Sequence, residues 1–441
     1  MDIIIAGAGR VGFNLARTLS IGHNVTVIDR NAEALQRLQE SLDILPLHGD
    51  IEDPLTYKKL IDKEADLFIA VTDIDEANLI STMIADDTIK VERKFIRLRN
   101  SFFAKSSIRE KLGIDKAIFP IELTSKTIET LLEYPKANNV KTFRYTDFKL
   151  ISVRATAITE PITLEEQELK KSLAIVGIER DKRFFIPGEP VIEPGDLVYL
   201  FGKESDIRTL CNTLESEAPR SISRCVIFGA GDLGIEIAKI LIDNGKEVKL
   251  VDKDIDRCEI ADEKLEGEAI AISCKYGTSP LFEEEGLENA DMMIAATDND
   301  EYNIIKCLEA REHGIGKVIS INNEMEYYNL MHSLGIVVVR GPKTSAYNAI
   351  LESIYAGGVV MERKFCGGKA TIFLRKIFPG SKLIGKRIKP PKIKANAEAF
   401  FIRDNTLLPL KEPIEAQEDD IFVTFAEESM APSLKVWIYG L

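Results

Sequence analysis

The chemistry this sequence can do is concentrated in two glycine-rich turns. The first is Gly7-Ala8-Gly9-Arg10-Val11-Gly12, fed by Ile3-Ile4-Ile5-Ala6; the second is Gly229-Ala230-Gly231-Asp232-Leu233-Gly234, fed by Cys225-Val226-Ile227-Phe228. In such a turn the first glycine permits a tight reversal, the second lets the backbone approach a phosphate, and the third lets the following helix pack close to the strand. Free amides at the start of that helix can hold an anion. Each turn also has an acid at the end of the next strand: Asp29 closes Val25-Thr26-Val27-Ile28, and Asp252 closes Val248-Lys249-Leu250-Val251. A carboxylate placed there can accept both ribose hydroxyls of an adenosine. It also repels a 2′-phosphate, so NAD, ADP or ATP fit better than NADP.

The two copies differ in charge. Arg10 sits inside the first turn, and Arg97 and Arg99 lie on a later strand; read in parallel, the second copy offers Asp232, Ser320 and Asn322. Three guanidinium groups near a phosphate cradle can give forked, charge-assisted hydrogen bonds to a di- or triphosphate, whereas Asp232 repels one. The bland reading makes these arginines solvated strand-end charges. His48-Gly49-Asp50, with Ile51 beside it, can meet an adenine edge, and Cys274-Lys275-Tyr276 replaces it in the second copy. The first site is therefore expected to bind a phosphate-rich nucleotide, and the second to bind weakly, differently or not at all, with Lys275 restoring part of the charge. Thr72-Asp73 and Asn78 in the first copy are echoed by Thr297 and Asn303 in the second. Either asparagine can face the phosphates or cap the helix that starts there.

The elements that must position these residues follow from apolar patterning. Residues 1–120 alternate short apolar strands with helical segments, the pattern of a doubly wound α/β sheet. Strands are expected at Ile44–Leu47, Ala65–Thr72, Phe95–Leu98 and Ala117–Phe119, with a helix from Asn31 to Leu42 burying Leu35, Leu38 and Leu42. Gly9, Asp29, Asp50, Thr72 and Arg97 to Arg99 fall near the carboxyl ends of those strands, where ligands bind in such sheets. Residues 121–147 read as a crossover helix with Ile121, Leu123, Ile128, Leu131 and Leu132 apolar, then a polar stretch. That helix either packs on its own lobe or swaps onto a neighbouring one.

Residues 148–215 read as a small α+β module, with strands at Leu150–Ala155, Leu173–Arg180 and Leu197–Phe201, turns at Pro187–Pro190 and Pro194–Asp196, and a helix from Glu204 to Leu214. Residues 216–223 are a linker. The second half replays the first, as a sheet over 224–342, a crossover helix and linker over 343–368, and a second small module over 369–441. Its Lys386 to Lys394 run is basic, and reads as a solvated loop or as a surface for a partner or anionic lipid.

Composition narrows the class. The 441 residues are 45% hydrophobic and 29% charged, as in globular proteins, and no apolar stretch nears the roughly 18 residues of a membrane span. The chain opens directly on a strand, so a cytoplasmic location is the default. A formal net charge of −14 argues against a general nucleic-acid surface. The six cysteines and four histidines show no metal-ligand spacing; the cysteines read as reduced thiols, and no metal is expected.

The order of these motifs is more specific than any one of them. The glycine turn with Arg10, Asp29, His48-Gly49-Asp50, Ala70-Val71-Thr72-Asp73 with Asp75-Glu76-Ala77-Asn78, and Arg97-Leu98-Arg99-Asn100, followed by a small module with Pro-Gly-Asp turns, resembles the domains that regulate conductance of potassium. Two such pairs in one chain resemble the TrkA family of cytosolic regulatory subunits of Trk potassium-uptake systems. That resemblance implies a peripheral membrane protein at the inner face of the membrane, assembled as a homotetrameric ring beneath a pore subunit of the TrkH or TrkG type. It further implies NAD(H), ATP or ADP as regulatory ligands, and no enzymatic activity. The competing function is an NAD-dependent oxidoreductase, which needs a proton donor or acceptor poised near the nicotinamide. The small modules contain no histidine for that task, since His23, His48, His313 and His332 all fall within the two larger copies. A nucleotide sensor for another partner is the third reading.

Overall fold

The computed structural model describes residues 1–60, 64–143, 145–163, 172–186, 191–216, 221–274, 279–324, 327–355, 360–392 and 396–441. The opening apolar run becomes β1 (Asp2–Ala6), and its side chains divide between two cores: Ile3 and Ile5 enter one, Ile4 and Ala6 the other. A strand buried on both faces needs helices on both. The sheet that supplies them contains β1, β2 (Asn24–Asp29), β3 (Leu45–His48), β4 (Glu64–Ala70), β5 (Lys90–Arg97) and β6 (Lys116–Ile118), in the order β3-β2-β1-β4-β5-β6 with every pair parallel. Helices α1 (Arg10–Leu19) and α2 (Ala32–Ser41) cover one face through Leu15, Leu19, Leu35 and Leu38, while Leu42 is only half-buried. On the other face lie α3 (Pro54–Tyr57) and α4 (Asp75–Thr88), through Tyr57, Ala77 and Ala85. The short helices α5 (Phe102–Lys105) and α6 (Ile108–Lys111) lead into β6. Strand β5 begins well before the expected Phe95. Its first residues are polar and pair with the exposed start of β4, where Lys90 meets Glu64 at 2.8 Å, so hydrophobicity does not flag them.

Helix α7 (Pro120–Glu133) is followed by a five-stranded antiparallel sheet containing β7 (Asn139–Phe143), β8 (Thr146–Arg154), β10 (Leu173–Arg180), β11 (Arg183–Phe185) and β13 (Leu197–Gly202). The pair β9 (Ile162–Thr163) and β12 (Val191–Ile192) and helix α8 (Glu204–Leu214) complete the module. The stretch read as polar after the crossover helix thus supplies an edge strand, its Val140 and Phe143 buried. The expected turn at Pro187–Pro190 lies outside the described residues.

The second half repeats the plan. Its parallel sheet runs β16-β15-β14-β17-β18-β19, from β14 (Arg224–Phe228), β15 (Glu247–Asp252), β16 (Ile270–Ser273), β17 (Met292–Ala295), β18 (Lys317–Asn322) and β19 (Val337–Arg340). Helices α9 (Asp232–Asp243), α10 (Ile255–Lys264), α11 (Ser279–Glu284), α12 (Asp300–Glu312) and α13 (Tyr328–Ser333) intervene, and α14 (Pro342–Tyr355) follows. The second small sheet, β20-β21-β26-β23-β24, is built from β20 (Val360–Phe365), β21 (Ala370–Lys376), β23 (Ala397–Arg403), β24 (Thr406–Pro409) and β26 (Ile421–Glu427), beside the pair β22 (Arg387–Ile388) and β25 (Ile414–Glu415); α15 (Ala431–Gly440) ends the chain.

Both small modules use the same two devices. A hairpin with positive φ at both central residues, Asp181-Lys182 or Asp404-Asn405, turns the chain with the twist of its strands. A forked arginine then grips a buried aspartate: Arg180 to Asp196 at 2.9 and 2.8 Å, and Arg403 to Asp420 at 2.8 and 2.7 Å. The two sheets share a core in which Phe201 and Phe425 lie 5.1 Å apart. In the basic run, Lys386, Arg387, Lys389 and Lys392 are exposed; Ile393 and Lys394 lie outside the described residues.

The chain forms two compact units, Met1–Lys126 with Arg340–Gly357, and Thr127–Val339 with Gly358–Leu441. The crossover helices explain this division. Within the first unit α14 buries Ala346, Ile350 and Ile354 in the core of the first sheet, and Tyr347 Oη lies 2.8 Å from Thr18 Oγ1 of α1. Within the second unit Ile128 and Leu131 of α7 lie in a core made with the first small module and the second sheet. The helices swap. Of the apolar positions expected on α7, Leu123 is exposed and Ile121 half-buried; in that half of the helix the polar Thr124 and Ser125 are buried, and the expected apolar residues that are buried, Ile128 and Leu131, lie in its carboxyl half.

Candidate nucleotide site at the carboxyl ends of the first sheet

The first glycine turn is fixed by backbone geometry. Gly7 has φ +112°, and its amide donates to Ile28 O at 2.9 Å. A Cβ on Gly12 would stand 1.8 Å from Gly7 O, so only glycine lets α1 lie this close to β1. Gly9 is different. It has an ordinary φ of −65°, and a Cβ there would meet nothing within 4 Å, leaving the backbone open where a ligand can approach. The Asp29 carboxylate holds the turn in place: Oδ2 accepts from Ala8 N at 2.6 Å and Oδ1 from Asn31 N at 2.8 Å. A carboxylate has about four acceptor directions, so two amides do not exhaust it.

A cavity of about 350 Å³ opens in front of this turn, within the 300–1,000 Å³ typical of small-molecule sites. Of the residues singled out from sequence, Gly7, Gly9, Arg10, Val11, Asp29, Asp50, Ile51, Thr72, Asp73 and Arg97 line it. Ala8, Gly12, Asn78 and Arg99 do not. Arg97 is only 5% exposed; its Nη1 donates to Asp73 Oδ1 at 2.7 Å and to Thr72 O at 3.2 Å, and its buried Nε has no hydrogen-bond partner among the described residues. Asp50 accepts from Glu52 N at 3.0 Å, which shapes the third-strand turn, and His48 Nε2 lies 3.1 Å from Arg30 O. Arg99 is exposed, and its backbone N–H donates to Asp75.

Asn78 is a positioning residue and follows neither expected role. It is fully buried, and Oδ1 accepts from Thr72 N at 2.9 Å and Thr72 Oγ1 at 2.7 Å, while Nδ2 donates to Thr72 O at 3.0 Å and Arg97 O at 2.9 Å. Its side chain thus locks the ends of β4 and β5 together and sets Thr72 at the cavity. Asn303 repeats all four bonds, to Thr297 and Ile321 O.

Those repeated bonds also fix the register between the copies and correct one expectation. Asn78 reaches Arg97 O where Asn303 reaches Ile321 O, and Asp75 receives the amides of Arg99 and Asn100 where Asp300 receives those of Asn323 and Glu324. Sheet pairing agrees, since Ala70 lies opposite Ile96 and Ala295 opposite Ser320. Arg97 therefore corresponds to Ile321 and Arg99 to Asn323, one residue beyond the expected Ser320 and Asn322. Helix α12 has 13 residues against 14 in α4, so Ile321 lies 18 residues after Asn303 where Arg97 lies 19 after Asn78, and the expected Ser320 falls one residue short of that position.

The second turn keeps its scaffold and changes its charge. Gly229 has φ +114°, a Cβ on Gly234 would stand 1.8 Å from Gly229 O, and Asp252 accepts from Ala230 N at 2.8 Å. Gly231 precedes Asp232, which lies 3.5 Å from Lys264 Nζ, and Leu233 packs on the core. Lys275 and Tyr276 lie outside the described residues.

Sequence reasoning missed Lys343, which lines the first cavity from the start of α14. The signal was available: a swap, once considered for α7, applies equally to its copy and carries Pro342-Lys343 to the first lobe. Arg30, Asn31 and Glu52 also line the cavity, the first two because they directly follow Asp29.

A family model, the TrkA-N domain, matches this chain twice, over residues 3–120 and 225–342. The chain belongs to the TrkA-N family. The two TrkA-N matches coincide with the two parallel sheets and their glycine turns. Similar proteins include a Trk system potassium uptake protein TrkA from Halomonas elongata, 29% identical over 402 residues that make up 88% of this chain and 87% of that protein. A Trk system potassium uptake protein TrkA homolog from Archaeoglobus fulgidus is 28% identical over 433 residues, 97% of each. Among solved structures, the GsuK channel aligns over 100% of this chain and 79% of its own, with a TM-score of 0.61 at 16% identity, and the GsuK channel bound to NAD over the same shares with 0.59 at 17%. That likeness is one of fold.

Proposed function

We propose that this TrkA-N protein is the nucleotide-responsive regulatory subunit of a potassium-uptake system, without catalytic activity of its own. NAD(H), ATP or ADP bind the first-half cavity, and occupancy biases a cytosolic homotetrameric ring beneath a membrane-embedded pore subunit of the TrkH or TrkG type. A ligand shifts such an equilibrium only through its different affinity for the two shapes. The observation that carries the reading is Arg97: a guanidinium 5% exposed, with an unused Nε donor, in the cavity that the open Gly9 backbone and Arg10 also line. That donor set suits a phosphate-rich ligand. Gly9, Arg10 and Arg97 would hold phosphates, Asp29 a ribose, and Asp50 with Ile51 the base. The names of the full-length relatives support the potassium-uptake role, and similar folds with NAD or ADP bound support the ligand class.

We also infer that residues 1–120 and 224–342 are the nucleotide lobes and residues 148–215 and 369–441 their companion modules. The test is calorimetric titration with NAD, NADH, ATP and ADP, counting sites per chain, followed by potassium flux through the pore subunit with and without each ligand. One strong site, weakened for ATP more than for AMP by Arg10→Ala, supports the reading. No nucleotide binding, or flux indifferent to every bound ligand, overturns it.

A further inference from the structure

Lys343 belongs to the second half of the sequence, yet it lines the first-half cavity together with Arg10, Arg97 and Asp73. It is half-buried at the second residue of α14, and that helix is anchored on the first sheet. Ala346, Ile350 and Ile354 are buried there, Tyr347 meets Thr18, and Ser345 Oγ lies 3.2 Å from Thr124 Oγ1. The first-half cavity is therefore incomplete without a helix encoded more than half the chain away.

The internal copy says which chemistry matters. The first cavity has cations at the turn (Arg10), directly after Asp29 (Arg30), at the end of β5 (Arg97) and at the start of the swapped helix (Lys343). The corresponding residues of the other copy are Asp232, Lys253, Ile321 and, two positions into the Pro120 helix as Lys343 is into the Pro342 helix, Ile121. Of the four cations only the one beside the strand-end acid is kept; the other three are lost, while the residues that hold the scaffold, Asp252, Asn303 and the glycines, are kept. Three positions contributed by three separate elements share one property in one copy. A common ligand charge accounts for that, whereas a local packing need would act on each position separately.

We propose that Lys343 is a phosphate-binding, specificity-determining residue of the first-half site: it contacts phosphate beyond the first, selects di- and triphosphates over monophosphates, and so ties α14 of the second half to nucleotide occupancy. This rests on the reading of that cavity as a nucleotide site. An ammonium is a compact point charge with three donors, so its attraction grows with ligand charge, unlike contacts to base or ribose.

The test is titration of the full-length protein and its Lys343→Ala and Lys343→Arg variants with ATP, ADP and AMP, with hydrogen exchange of residues 342–354 followed in parallel. Lys343→Ala should weaken ATP about ten-fold, ADP less and AMP hardly at all, and Lys343→Arg should restore most of the loss, as expected for one charge-assisted contact. ATP should slow exchange in α14 of the wild type and not of the alanine variant. Equal losses for all three nucleotides would reduce Lys343 to a packing role, and unchanged affinities would remove it from the site; either outcome overturns the inference and leaves the nucleotide reading standing. If the unaltered protein binds none of the three, both fall.

Discussion

The Arg97 guanidinium donates to the Asp73 carboxylate across 2.7 Å, and both side chains line the cavity in front of the glycine turn. Burial acts to raise the Asp73 pKa, but the hydrogen bond and charge of Arg97, with the charges of Lys343 and Arg99, outweigh it and hold the carboxyl below its ordinary value. Asp73 is thus ionised at neutral pH. It competes with an incoming phosphate for Arg97 and repels it as well. Asp73→Asn should therefore tighten ATP binding several-fold, roughly the effect of one unit charge a few ångströms from the ligand, and less so at high salt. Calorimetry at two ionic strengths checks this, and weaker binding would show that the carboxylate is itself a ligand contact.

The glycines of the first turn make separable predictions. Gly12→Ala puts a Cβ 1.8 Å from Gly7 O, a backbone clash that only displacement of α1 can relieve. Gly9→Ala meets nothing within 4 Å at a permitted φ. The first should lower the melting temperature and abolish nucleotide binding, whereas the second should leave stability within about 1 kcal/mol and still impair binding, because its methyl occupies the approach of a phosphate. Gly234→Ala, with the same 1.8 Å clash to Gly229 O, should destabilise the second lobe and spare binding at the first. Thermal melts and titrations on the three variants separate the cases.

What the sequence made legible tracks where one residue type has one explanation. Three consecutive apolar residues before Gly7-x-Gly9-x-x-Gly12 admit only a buried strand and a close helix, and Gly7, Gly12 and Asp29 stand as their types require. Asn78 was ambiguous because its type suits a helix cap and a ligand equally; its partner, Arg97 O, lies on a strand 19 residues on, which local pattern does not reach. The one-residue error at Ser320 came from matching strand text, in which Ile96-Arg97 and Ile319-Ser320 look alike, whereas the sheet pairing makes Ser320 the counterpart of Ile96. Lys343 was legible only through the helix swap weighed for α7, because a swapped helix brings together residues whose separation in sequence carries no periodic signal.

Asn78→Ala should show what that network contributes. It strips Thr72 N and Arg97 O of buried partners, and an unsatisfied buried group costs about 1–3 kcal/mol. The variant should lose that much stability in urea unfolding and also bind ATP more weakly, since Thr72 and Arg97 are no longer held to the cavity. Asn303→Ala removes the same four bonds from the second lobe and should cost similar stability with no loss of first-site affinity. Equal effects of both variants on ATP binding would contradict the assignment of the working site to the first half.

Lys317 gives the fold a specific pH dependence. It opens β18 at 3% exposure, its ammonium donating to Ala137 O, and burial pushes its pKa down to about 8, with the charge of Glu215 opposing. In the unfolded chain a lysine titrates near 10.4. Below pH 8 both states carry the proton and the folded protein bears the full penalty of the buried charge. Between about 8 and about 10 the unfolded chain binds more protons than the folded one, so stability rises with pH. Burial also raises Cys211 to about 12, so that thiol stays neutral across this window. The stability of the wild type relative to Lys317→Met should therefore climb by up to about 3 kcal/mol between pH 8 and 10, measured by chemical denaturation at matched ionic strength. A constant difference would mean that Lys317 keeps its ordinary pKa, and that water or a shifted Glu215 reaches it in solution.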